Sequence, residues 1–136
     1  MVRGILADYD TVGQVEHLAV LMQREPWTEF WPTLAVRLLH FPDVGLFPES
    51  SDFEVWQTCQ TEQLVLITHN RNLDSADSLE ATIRAHNTPT SLPVFTISDN
   101  DKFSTSRSYV DRIVESLYNY LDRIDEMRGS GRLYLP

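Results

Sequence analysis

Apolar and polar positions alternate in blocks along this chain, and three of the apolar blocks are short and unbroken. Ile5-Leu6-Ala7, Leu64-Val65-Leu66-Ile67 and Val94-Phe95-Thr96-Ile97 each run without a turn residue straight into polar residues. A short continuous apolar run predicts a strand buried on both faces, as in a parallel sheet. Between them lie stretches with helical spacing. Val15, Leu18, Ala19 and Met22 recur at intervals of three and four after Gly13. Ser50, Ser51 or Asp52 can cap a helix whose inward side carries Phe53, Trp56 and Cys59. Asp74 and Ser75 can cap another that runs to His86 with Leu79 and Ile83 inward. The stripe Val110, Ile113, Val114, Leu117, Leu121, Ile124 predicts a last helix over Ser106–Arg128, stopped by Gly129-Ser130-Gly131.

The remaining elements carry weaker signals. Pro26 can open a helical turn and Pro32 can end it, with Trp27, Phe30 and Trp31 on one face as core packing or, less simply, a base-stacking platform. Val36–Phe41 is expected as a second strand, because Pro42 and Gly45 close it and β-α alternation requires one there. Arg132–Pro136 is expected as an apolar tail that straps onto a neighbouring surface. The expected order is β-α-β-α-β-α-β-α: a three-layer, Rossmann-like α/β fold with a parallel sheet of about four strands, in a single domain over residues 1–136.

Composition narrows the function. The chain has 136 residues, is 42% hydrophobic and 10% aromatic, and suits a globular domain rather than disorder. No apolar run approaches the roughly 18 residues of a membrane span, so no membrane partner is expected. Met1 to Gly4 leads directly into a strand, which predicts no signal peptide. The single cysteine, Cys59, fits a reducing cytoplasm and a packed thiol rather than a nucleophile. A net charge of −9, with Lys102 the only lysine, argues against avid binding to nucleic acid, so RNA would be held weakly.

The strand ends carry the candidate chemistry. Ligands of open α/β sheets bind at the carboxyl edge. There Asp8 and Asp10 follow the first strand, Asn70 and Asn72 follow the third, and Asp99 and Asp101 follow the fourth. Asp52 and Glu54 stand at a helix start that parallel topology brings to the same edge. Crowded carboxylates repel, and magnesium or manganese needs only one or two of them plus water. Each residue also has a plain structural reading. Asp52 can be a helix cap, Glu54 a dipole partner, and Asn70 and Asn72 turn residues. His69 can be structural, Asp99 and Asp101 can precede a helix, and Arg107, Arg112, Arg123 and Arg128 can dot a solvated helix.

Three segments together resemble the PIN-like domain family, and the compact bacterial members in particular. These are Leu6-Ala7-Asp8-Tyr9-Asp10, then Gly45-Leu46 with Ser51-Asp52-Phe53-Glu54-Val55-Trp56, then Leu66-Ile67-Thr68-His69-Asn70-Arg71-Asn72-Leu73. The resemblance implies a metal-dependent ribonuclease, often a toxin with an antitoxin-like protein partner, or a homodimer. It places Asp8, Asp10, Asp52 and Asn70 around Mg2+ or Mn2+, with Asp8, Asp52 and Asn70 as the catalytic set. The family's third motif carries acids where this chain has Asn70 and Asn72. An amide ligates a hard cation without bringing charge, so weak cation binding and weakened cleavage are expected. The alternative is a non-catalytic PIN-like interaction module. A phospho-receiver-like domain shares the acid pair but lacks the phosphorylatable aspartate, since position 70 is Asn.

Overall fold

The computed structural model describes residues 1–70 and 78–136. Five strands form one parallel sheet: β1 (Gly4–Ala7), β2 (Arg37–Leu39), β3 (Leu64–Thr68), β4 (Val94–Ile97) and β5 (Arg132–Leu135), in spatial order β2-β1-β3-β4-β5. Every residue of β1, β3 and β4 is buried, as unbroken apolar runs require. Alternate residues supply opposite faces. Ile5, Ala7, Val65, Ile67, Phe95 and Ile97 pack with α1 (Val12–Met22) and α6 (Arg107–Asp122). Leu6, Leu64, Leu66 and Val94 pack on the other face with α3 (Asp52–Glu62) and α4 (Leu79–His86). The result is three layers, α/β/α.

The tail is a correction: Arg132–Leu135 does not strap onto a neighbour but pairs in parallel with β4, with Val94 opposite Arg132 and Ile97 opposite Leu135. Positive φ at Gly129 (88°) and Gly131 (80°) turns the chain from the helix into this fifth strand. A short helix, α5 (Asn100–Thr105), precedes α6 where the sequence predicted none. The long last helix is also shorter than expected. It ends at Asp122, and Ile124 belongs to α7 (Ile124–Met127), half-buried rather than core.

Pro32 opens a helix instead of ending one, lying in the first turn of α2 (Trp31–Leu34), because a missing N–H costs nothing there. Trp27 stacks on Tyr118 of α6, ring centroids 4.6 Å apart at 10°, so this ring serves packing. On α3 the inward residues are Val55, Trp56 and Cys59, while Phe53 is 41% exposed. α4 is capped by Ser78, whose hydroxyl accepts from the N–H of Ala81 at 3.1 Å. The expected caps Asp74 and Ser75 lie outside the described residues, as does Asn72. Among the described residues no helix is long and apolar enough to cross a membrane.

Gly4 begins β1 beside β2, and a Cβ there would lie 2.4 Å from the carbonyl oxygen of Arg37. Backbone on both sides leaves little room to give. Gly4→Ala is expected to cost about 1–3 kcal/mol, the usual penalty of forced overpacking. Denaturant unfolding would measure it, and an unchanged midpoint would mean that the β1–β2 pair spreads freely.

Candidate acidic cleft

The order β2-β1-β3 means that the chain leaves β1 toward one edge and returns on its other side at β3. Such a switch point opens a crevice beyond the strand ends. Asp8 follows β1 at this point and is held from both sides. Its Oδ1 accepts from the Tyr9 N–H at 2.9 Å, capping a 3-10 turn over Tyr9–Thr11, and its Oδ2 accepts from the Thr68 hydroxyl at 2.6 Å. The Asp8 N–H donates to the Ile67 carbonyl at 3.1 Å, which ties the ends of β1 and β3 together.

The Thr68 hydroxyl in turn accepts from the Asn70 N–H at 2.9 Å. One buried threonine therefore orients both an acid and the neighbouring amide residue. His69 is tied to the turn after β1. Its N–H donates to the Thr11 hydroxyl at 3.2 Å, and its Nε2–H donates to the Asp10 carbonyl at 3.0 Å.

Asp52 comes from the opposite wall. It does not cap α3: the Ser51 hydroxyl does so, accepting from the Glu54 N–H at 3.1 Å, and Asp52 is the first helical residue. Its carboxylate is not spent on that cap, and the residue lines the cleft. Burial pushes the Asp52 pKa above its usual range, and the charge of Asp8 pushes it further. The N–H of Leu79 and the guanidinium of Arg132 act in the other direction. Asp8, Asp10, Asp52 and Asn70 all line one cleft of about 690 Å3, with Tyr9, Phe41, Pro48 and His69 completing its walls. Among the described residues, no three His, Cys, Asp or Glu side chains are grouped to hold a metal ion.

The other candidates resolve locally. Asp99 caps α5, its Oδ1 accepting from the Lys102 N–H at 3.0 Å. Arg128 does not dot a solvated helix. It reaches Asp125, the Thr90 carbonyl and the Gln63 side chain, each at 2.9 Å. Reading the sequence alone missed the parts played by Thr11, Thr68 and Arg132. A threonine closing a buried strand was the available signal for Thr68. Compared with protein-family models, with curated proteins and with solved structures, the chain matches none.

The Asp52 shift fixes the sign of a pH effect. The folded state binds the Asp52 proton more tightly than the unfolded chain, so this group makes stability fall as pH rises from its ordinary 3.8 through its raised value. Above that value the full penalty for the ionised form remains. Asp52→Asn is therefore expected to raise the melting temperature at pH 7, with the gain shrinking as pH falls through the raised Asp52 value and gone below the ordinary 3.8. A gain that persists undiminished at pH 3 would point to packing instead of charge.

Proposed function

We propose that the chain is a PIN-like domain protein whose acidic cleft binds Mg2+ or Mn2+ weakly and cleaves single-stranded RNA slowly. The carrying observation is that Asp8, Asp52 and Asn70 line one switch-point cleft, in which the charge of Asp8 pushes the Asp52 pKa up. Two carboxylates in one cleft, one made harder to ionise by the other, are the donor chemistry that a hard divalent cation relieves. Asp8 and Asp52 would hold the ion, with the Asn70 amide as a neutral donor and Asp10 at the exposed rim.

A cation bound there supplies polarisation of a phosphoryl oxygen and a water acidified toward hydroxide. The chain's own part is orientation. Tyr9 N–H and the Thr68 hydroxyl keep the Asp8 carboxylate aimed. The Leu79 N–H and Arg132 favour the charged form of Asp52. Thr68 also fixes the backbone of Asn70. Slow cleavage follows from the amide, which brings no negative charge and abstracts no proton.

Titration calorimetry with Mn2+ tests this reading. A dissociation constant on the order of a millimolar is expected from so few charged ligands, and Asp8→Asn should abolish binding. Binding that survives Asp8→Asn would place the ion elsewhere and end the proposal. The amides Asn70 and Asn72 favour a second reading, a non-catalytic PIN-like module that engages an antitoxin-like partner or a second copy. Phospho-receiver domains share the strand order, but position 70 is an amide that takes no phosphoryl group and β5 ends in Leu135 rather than a lysine.

A further inference from the structure

We infer that Arg132, on the last strand, is a positioning residue of the acidic cleft, pinning the backbone of Asn70 so that β5 is part of the site. This rests on the proposed reading of the cleft for its consequence, but not for its geometry. Arg132 stands opposite Val94 in the sheet. Its side chain is only 6% exposed and reaches the end of β3. The Nη1 group donates to the Asn70 carbonyl at 3.0 Å and to the Thr96 hydroxyl at 2.6 Å, and Nε donates to Glu80 of α4 at 3.0 Å. One guanidinium thus joins β3, β4, β5 and α4.

Asn70 is consequently held twice through its backbone, its N–H by the Thr68 hydroxyl and its carbonyl by Arg132. The Thr68 hydroxyl is the same group that aims Asp8. Arg132 also faces Asp52 closely enough for its charge to favour the ionised carboxylate. A buried ion pair is a poor way to gain stability, since well-packed apolar residues often do as well. Arg132 further keeps its Nη2 buried with no hydrogen-bond partner among the described residues. Such a cost is tolerated where orientation matters. A planar fork holding a carbonyl, a hydroxyl and a carboxylate at once is beyond what lysine can do.

Two variants separate positioning from mere charge or mere stability. Arg132→Lys keeps the charge and loses the fork. The double variant Arg132→Met with Glu80→Gln removes the pair without stranding a buried charge. In both, the Asn70 amide is expected to exchange its hydrogen about tenfold faster while Leu66 and Phe95, in the sheet, keep their native rates. Mn2+ titration should weaken about tenfold in both, as when a ligand's orienting partner is lost. If Arg132 acted only through its field, the double variant would bind Mn2+ more tightly, and that result overturns the inference. It is likewise overturned if Asn70 exchanges at its native rate, or if Leu66 and Phe95 accelerate along with it. A native chain that binds no Mn2+ at all would end the proposed function, and Asn70 exchange would still decide the role of Arg132.

Discussion

Leu117→Asp is expected to leave the chain unfolded in water at 25 °C. Leu117 lies in the middle of α6 with 0% exposure, in the cluster that joins α1 and α6 to Ile5, Val65 and Phe95 of the sheet. Removing the leucine alone costs about 2–5 kcal/mol in transfer and cavity terms. The new carboxylate has no cation in that cluster, so it must be buried charged or protonated at a further cost of several kcal/mol. The sum of about 5 kcal/mol or more matches the whole stability of many domains, about 5–15 kcal/mol. Circular dichroism and urea titration would show the loss. A folded variant with a cooperative transition would mean that this stripe faces water.

The same stripe shows what was legible beforehand. Val110, Ile113, Val114, Leu117 and Leu121 repeat at helical spacing in one segment, and a local pattern is enough to place them. β1, β3 and β4 were equally plain, because strands covered on both faces must be apolar at successive positions. β5 was not plain. Four residues with an arginine at the head and a half-exposed tyrosine carry no strand pattern, and their partner β4 is remote in sequence. α5 offers one large apolar residue, Phe103, too few to show a period. At the cleft, Asp8, Asp52 and Asn70 could be brought together in advance because parallel topology gathers strand ends. The grip of Arg132 on Asn70, 62 residues away, is a tertiary fact with no local trace.

If the acidic cleft takes a divalent cation as proposed, Asn70→Asp is expected to tighten its hold. A third carboxylate would stand beside Asp8 and Asp52, at a position whose backbone is already fixed. Without metal the added charge repels its neighbours and raises the Asp52 pKa further, so the metal-free variant should melt lower than the native chain at pH 7. With Mn2+ the order should reverse, since a ligand that binds only the folded state stabilises it in proportion to affinity. Mn2+ affinity should rise roughly tenfold, or about 1.4 kcal/mol. Manganese-dependent cleavage of single-stranded RNA should rise above that of the native chain and vanish when Asp8→Asn is added. Tight binding without any cleavage would show that the scaffold lacks more than one charge. The interaction-module reading would then take first place.

Cys59 sits in the cluster on the α3 and α4 face, 2% exposed, and burial raises its thiol pKa. Thiolate is the reactive form, and neither it nor an alkylating reagent has access while that layer stays closed. The single thiol is therefore a clock for opening of one side of the sheet. When reclosing is faster than labelling, its labelling rate reports the equilibrium population of the opened form. Hydrogen exchange at Ile113 and Leu117 times the opposite side. Equal free energies from the two clocks would mean that both helical layers leave the sheet as one cooperative unit. Faster labelling at Cys59 would mean that the α3 layer, which carries Asp52, detaches while α1 and α6 hold.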